Sequence, residues 1–169
     1  MKLLATTIIA ATLSAGSALA QEAMTAKAGF VGSEGAEVGT ATLTGTPAGV
    51  LIELEVSGLP ASQWVAFHVH ETGTCDHTIG HESAGGHFNP DDKEHGYKAA
   101  NGPHAGDMPN QYVGADGVLR AQVFNTFVTL EDAANGIKGK ALMVHGGQDD
   151  YQSQPSGDAG DRLACGVIE

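Results

Sequence analysis

Short segments rich in Val, Thr and Leu alternate with glycine-containing turns through most of the chain, a pattern typical of β-strands. In the segment 50–56, Ile52, Leu54 and Val56 share one face, while the opposite face carries Leu51 and two glutamates. Helical periodicity is nearly absent, and the best candidate for a short helical turn is 130–134, capped by Thr129. The pattern predicts strands at 26–31, 36–44, 49–56, 64–70, 118–127 and 139–145, followed by a C-terminal strand.

Two long segments interrupt this alternation. They run from Glu71 to Tyr112 and from Gly146 to Asp161, and both are dense in Gly, Asp, His, Pro and Asn. Loops of this length are either functional or disordered, and these two contain or directly adjoin every histidine of the chain. The sequence therefore predicts an all-β sandwich or barrel that carries two functional loops.

The first twenty residues have the features of a secretory signal peptide. A positive charge at Lys2 precedes an apolar run from Leu3 to about Leu13, and small residues follow at Ala18 and Ala20. The run is too short to span a bilayer, so a retained membrane anchor is the weaker interpretation. We predict a signal peptide at 1–20, a single domain at 21–169, and a periplasmic location without a stable membrane anchor.

Charge and cysteine content narrow the possible partners and the compartment. The formal net charge is −12, which disfavours nucleic acid as a partner. Only two cysteines are present, Cys75 and Cys165. Because disulfides persist in exported proteins, we expect these two cysteines to be paired.

The histidines are the main candidates for chemistry. His68 and His70 lie two residues apart in a predicted strand, so both imidazoles point to the same face and can approach one metal ion. Eight histidines without a zinc-finger cysteine pattern indicate imidazole sites for zinc or copper. The alternative is a solvated histidine-rich loop that binds metal nonspecifically, but the histidines are spread over strands and loops far apart in sequence.

The ordered motifs AFHVHETGTC, SAGGHFNP, KEHG, GPHAGD, MVHGGQDD and PSGDAGDRLACGVI resemble those of the copper/zinc superoxide dismutase family, in its bacterial periplasmic form. The resemblance implies a Greek-key β-barrel or sandwich of immunoglobulin-like architecture. It also implies one copper and one zinc ion per subunit. The reaction would convert superoxide to dioxygen and hydrogen peroxide by alternate reduction and reoxidation of copper.

The resemblance also assigns residues to roles. His87 would bridge the two metals and act in catalysis together with Arg162, which would draw in the superoxide anion. Asp149 would link the free nitrogens of His68 and His95. His77 and His81 match no ligand position, and we expect them to be exposed loop residues. The implied copper ligands are His68, His70, His87 and His145, and the implied zinc ligands are His87, His95, His104 and Asp107.

Several alternatives remain open at this point. A periplasmic copper/zinc carrier without turnover is the main competing function, and a zinc hydrolase ranks last because no open three-ligand site with a general base is evident. Lys93 or Lys98 is a candidate for local steering of the anion. Bacterial members of the family occur as monomers or homodimers, and Trp64 and Tyr112 are candidate interface residues.

Overall fold

The computed structural model describes residues 24–169, and the predicted signal peptide at 1–20 lies outside this range. The described residues contain nine β-strands and two single-turn 3₁₀ helices, the latter at His77–Ile79 and Glu82–Ala84. None of the helices in this range has the length and apolar character needed to cross a bilayer. The strands are β1 (Thr25–Gly32), β2 (Glu37–Thr46), β3 (Gly49–Val56), β4 (Trp64–Val65), β5 (Phe67–His70), β6 (Gln111–Tyr112), β7 (Leu119–Asn125), β8 (Ala141–His145) and β9 (Arg162–Ile168).

Seven of these strands form one antiparallel sheet in the order β5-β8-β9-β1-β2-β3-β7, and β4 pairs with β6. The first strand therefore lies between the second strand and the last one, and long connections return the chain to neighbours far away in sequence. This is a Greek-key arrangement. The prediction of an all-β fold with a C-terminal strand and two long loops is confirmed.

The alternating strand pattern produces the core. In β3, Val50, Ile52, Leu54 and Val56 are buried, as the period of two predicts. In β5 all four residues are buried, but Phe67 and its alternate neighbour Val69 pack into the apolar cluster, whereas the two histidines do not join it. A strand with one apolar face and one histidine face thus separates the core from the loops.

Two local predictions were wrong. The predicted strand 64–70 is divided at Ala66, whose N–H donates to Gly147 O and whose carbonyl accepts the N–H of His145. The chain changes partners at that point, so β4 and β5 belong to different sheets. The segment 130–134 forms bends that lead into a turn rather than a helix, although Thr129 Oγ1 does accept the N–H of Glu131 at 3.1 Å.

The two long loops are positioned by the sheet and by one covalent link. The first loop connects β5 to β6, and the second connects β8 to β9. The predicted disulfide between Cys75 and Cys165 is confirmed, with a Cα–Cα distance of 5.5 Å. It joins the first loop to β9, which begins at Arg162, so the end of the second loop and the start of the first are held together.

Candidate metal centre

The strand β5 and the first loop are joined by backbone pairing, which brings residues from both to one place. His68 forms an antiparallel bridge with Asp107, and His70 forms one with His87. The N–H of Val69 donates to Gly106 O at 2.9 Å and its carbonyl accepts the N–H of Phe88 at 2.8 Å. The loop therefore covers the edge of the sheet and places its ligand-type side chains against those of the strand.

A first cluster consists of four buried histidines whose ligand nitrogens all lie within 4.8 Å of one another. His70 Nδ1 donates to Gly85 O at 2.9 Å, so its Nε2 carries a lone pair, and that atom lies 3.4 Å from Nε2 of His145. His145 Nδ1 faces Gly160 O at 3.4 Å, so its Nε2 is also unprotonated. Two lone pairs that face each other in a buried site call for a cation between them. The members are His68, His70, His87 and His145.

The electrostatics of this cluster favour neutral imidazoles. Burial is the main cause that lowers the pKa of His70, His87 and His145, and neighbouring imidazoles are the next cause for all three. The pKa of His87 falls to about 3. Neutral imidazole is the form that binds a metal ion. The buried atoms His68 Nδ1 and His87 Nε2 have no hydrogen-bond partner, as expected for atoms whose partner is a metal.

A second cluster of three histidines and one aspartate shares His87 with the first. Oδ1 of Asp107 lies 2.8 Å from His87 Nδ1, 3.1 Å from His95 Nδ1 and 3.4 Å from His104 Nδ1. Burial would raise the pKa of Asp107, but the three ring contacts outweigh it and hold the pKa well below its usual range. Three imidazoles and one carboxylate match the donor set and the tetrahedral count of a closed zinc site. The members are His87, His95, His104 and Asp107.

Asp149 connects the two clusters. It is buried, and its Oδ2 accepts a hydrogen bond from His68 Nε2 at 2.9 Å while its Oδ1 accepts one from His95 Nε2 at 3.0 Å. Burial opposes protonation of His95, but Asp107 and Asp149 outweigh this and raise the pKa of His95 to about 9. Asp149 therefore lies between the two rings and accepts the outer N–H of each.

Several supporting residues were not found from the sequence. Asn110 is buried, and its side chain donates to Asp149 O at 2.8 Å and accepts the N–H of Asp149 at 2.9 Å. Tyr97 OH donates to Asp107 O at 2.9 Å, and the N–H of Gly96 donates to Asp107 Oδ2 at 2.8 Å. These contacts join residues 10 or more positions apart along the chain, so no local pattern indicates them. In the sequence, the segment GDMPN shows only that an amide side chain lies close to the metal-binding motif GPHAGD.

The first cluster borders a surface cavity of about 860 Å³ to which Arg162 also contributes. Arg162 is the one permanently cationic residue among the described residues that line the cavity, and three carboxylates line it as well: Glu71, Glu82 and Asp161. Burial is the main cause of the lowered pKa values of His70 and His145, and the charge of Arg162 adds to it. The guanidinium therefore acts electrostatically on the first cluster.

Neither lysine considered for steering lines this cavity. Lys98 Nζ donates to Asp150 O at 2.9 Å and lies 5.5 Å from the ring centroid of Tyr151. Lys93 Nζ donates to Asn101 Oδ1 at 3.3 Å. Both ammonium groups are thus engaged in contacts within the two loops.

The expectation that His77 and His81 are both exposed is half wrong. His77 is exposed, but His81 has 0% exposure and its two ring nitrogens have no hydrogen-bond partner. His81 adopts a left-handed backbone conformation with φ of 59°, and its carbonyl accepts a hydrogen bond from Arg162 Nη1 at 3.0 Å. The backbone of His81 therefore contacts Arg162, and nothing in the sequence of this glycine-rich loop indicates that long-range contact.

Comparison with known proteins gives one family. The family model described as copper/zinc superoxide dismutase matches residues 37–168. Cu-Zn superoxide dismutase 1 of Aquifex aeolicus is 48% identical over 155 residues, covering 89% of this chain and 90% of that protein. The Cu-Zn superoxide dismutase of Caulobacter vibrioides is 39% identical over 142 residues, which cover 80% of each chain.

Solved structures agree on the architecture. The Cu/Zn superoxide dismutase of Brucella abortus superposes with a TM-score of 0.71 at 30% identity, covering 86% of this chain and all of that one (100%). A SOD-like protein from Bacillus subtilis gives a TM-score of 0.80 at 35% identity, covering 85% of this chain and 97% of that one. The same architecture thus occurs in a protein described as a superoxide dismutase and in one described only as SOD-like, so the fold alone does not define the chemistry.

Proposed function

This chain belongs to the copper/zinc superoxide dismutase family, and we propose that its two buried clusters divide the two metals of that family between them. The all-histidine cluster would hold copper through His68, His70, His87 and His145. The mixed cluster would hold zinc through His87, His95, His104 and Asp107. Imidazole ligands suit both oxidation states of copper, whereas the carboxylate completes a closed site for zinc.

The enzyme converts superoxide to dioxygen and hydrogen peroxide and uses copper and zinc as its cofactors. When bound, copper supplies the one-electron oxidation and reduction of superoxide, and zinc supplies a fixed positive charge beside it. We assign the capture of the anion to Arg162, since its guanidinium is a permanent positive charge at the cavity wall. We assign proton delivery to the departing peroxide to His87 Nε2, a buried ring nitrogen without a hydrogen-bond partner, which would take up a proton from solvent and pass it on only while it is not bound to copper.

One observation carries the assignment: His87 belongs to both clusters, with Nδ1 facing Asp107 and Nε2 left without a partner. A side chain that offers one ring nitrogen to each cluster is what a bridged pair of metals requires, and a single-metal carrier does not require it. In this proposal Asp149 keeps the proton on the outer nitrogen of His68 and of His95, so that their inner nitrogens remain free to bind metal.

Selective metal loss tests the division of ligands. His145→Ala should lose copper and retain zinc, whereas His104→Ala should lose zinc and retain most of its copper, as measured by metal analysis after dialysis against a weak chelator. His77→Ala is the matched control, since His77 is exposed and belongs to neither cluster. Loss of both metals in equal proportion from each of the two ligand variants would contradict the assignment.

We infer export to the periplasm and a single mature domain at 21–169. The proposal is supported by the signal-type composition of 1–20 and by the disulfide between Cys75 and Cys165, which persists in an oxidising compartment. Fractionation of cells that express the full chain should recover dismutase activity in the periplasmic fraction, with a mature N-terminus at Gln21. Activity confined to the cytoplasm with an intact N-terminus would overturn this proposal.

For the assembly, we propose a homodimer contact through Trp64 and Tyr112. The two ring centroids lie 5.3 Å apart in an edge-to-face arrangement on the β4-β6 pair. The exposed fraction is 52% for Trp64 and 50% for Tyr112. Exposed aromatic side chains are enriched at protein interfaces. Sedimentation should give a dimer for the native chain and a monomer for Trp64→Ser, whereas a monomeric native chain would overturn the proposal.

A further inference from the structure

Arg162 is held by two contacts from the same short segment of the first loop. Its Nη1 donates to the carbonyl of His81 at 3.0 Å, and its Nη2 forms an ion pair with Glu82 Oε2 at 3.3 Å. The carbonyl contact fixes the direction of the guanidinium. The carboxylate contact differs in kind, because it places a negative charge directly beside the group to which we assign anion capture.

Glu82 and Arg162 differ in their exposure to solvent. The Arg162 side chain is 16% exposed, whereas that of Glu82 is 69% exposed, and both line the cavity that borders the first cluster. An ion pair in which one partner is this exposed contributes little to stability. The position of Glu82 is therefore better explained by its effect on an incoming anion than by its effect on the fold.

The physical effect depends on the charge of the anion. A guanidinium alone attracts a doubly charged anion about twice as strongly, in energy, as a singly charged one. A carboxylate at contact distance subtracts from that attraction, and it subtracts twice as much for the doubly charged anion. Two further carboxylates, Glu71 and Asp161, line the same cavity, but neither has an ion pair with Arg162.

We infer that Glu82 makes the anion site at Arg162 selective for singly charged anions over doubly charged ones. Superoxide carries one negative charge, whereas sulfate and hydrogen phosphate carry two. Glu82 therefore lowers the affinity for the substrate modestly and lowers the affinity for competing dianions by more. The inference rests on the proposed role of Arg162.

Perchlorate and sulfate test the inference because they share shape and size and differ in charge. Their dissociation constants are measured on the copper- and zinc-loaded protein by displacement of azide, followed through the visible absorption of the azide complex at fixed ionic strength. In Glu82→Gln, perchlorate should bind roughly two- to threefold more tightly and sulfate roughly four- to ninefold more tightly, because the effect of one removed charge scales with the charge of the ligand.

Matched variants separate this effect from structural ones. Glu82→Asp keeps the charge and should retain the native ratio of the two dissociation constants. Asp132→Asn removes one negative charge from an exposed position outside the cavity lining and should change neither constant. If Glu82→Gln changed both constants by the same factor, or changed neither, the inference would be overturned.

A third variant separates the failure of the inference from the failure of the proposed function. Arg162→Gln should weaken the binding of both anions and slow superoxide dismutation. If it weakened neither, the assignment of anion capture to Arg162 would be wrong. If it weakened both while Glu82→Gln left their ratio unchanged, the assignment to Arg162 would stand and the selectivity inference alone would fail.

Discussion

The substitution Asp149→Asn should release zinc in preference to copper. The carboxylate accepts ring N–H groups from both His68 and His95, but an amide has only one oxygen to accept a hydrogen bond. One of the two rings must therefore move its proton from the outer nitrogen to the inner one, and a protonated inner nitrogen cannot bind a metal.

The structure indicates which ring will change. A proton on Nδ1 of His95 finds an acceptor in Asp107 Oδ1 at 3.1 Å, whereas Nδ1 of His68 is buried without any hydrogen-bond partner. The cost of an unpaired buried N–H therefore keeps the proton of His68 in place and directs the change to His95. Loss of an orienting carboxylate lowers metal affinity by about 10- to 100-fold, or roughly 1.4 to 2.7 kcal/mol.

Zinc affinity and copper affinity are each measured by competition with a chromophoric chelator, in two parallel titrations. Asp150→Asn is the matched control, since it removes the same charge from the neighbouring residue, whose carboxylate contacts Ser153 and no histidine. A zinc dissociation constant within about twofold of the native value, or a larger loss of copper than of zinc, would refute the reasoning about the tautomer of His95.

Replacing both Cys75 and Cys165 by Ser should lower the free energy of unfolding by about 4 kcal/mol, measured by urea titration, because the bond closes a loop with a sequence separation of 90; an unchanged unfolding midpoint would contradict this. Zinc binding to the metal-free protein at pH 7 should release about one proton from His95, because its pKa of about 9 leaves it protonated, and zinc affinity should therefore rise with pH up to about 9. Calorimetric titrations that give the same heat in buffers of different ionisation enthalpy would contradict this. The dismutation rate should rise with ionic strength, since salt screens the repulsion of an anion by a chain of net charge −12 and by the carboxylates of the cavity; a rate that falls with added salt would show that local attraction to Arg162 dominates.

The sequence was sufficient wherever a short-range rule controls the geometry. The period of two placed His68 and His70 on one face of β5, opposite Phe67 and Val69, and the structure confirms it. The motif resemblance then assigned residues as far apart in sequence as His68 and His145 to one metal site. The family comparison supports the activity and the two cofactors that the resemblance implied.

The sequence was insufficient wherever long-range contacts control the outcome. His81 is buried in a loop segment whose carbonyl accepts a hydrogen bond from Arg162, and the break at Ala66 depends on hydrogen bonds to His145 and to Gly147. The ion pair between Glu82 and Arg162 likewise joins residues 80 positions apart along the chain. None of these contacts has a local pattern, because each is set by how the two loops fold back onto the sheet.

The central claim is that His87 joins the two metal sites of this dismutase. The most direct test measures superoxide dismutation and metal content of the chain from Gln21 onward, loaded with copper and zinc, for the native protein, His87→Ala and the control His77→Ala. We expect fast dismutation at about one copper and one zinc per chain in the native protein and in the control, and near-complete loss of dismutation in His87→Ala. Dismutation at the native rate in His87→Ala, or tight binding of both metals without dismutation in the native protein, would contradict it.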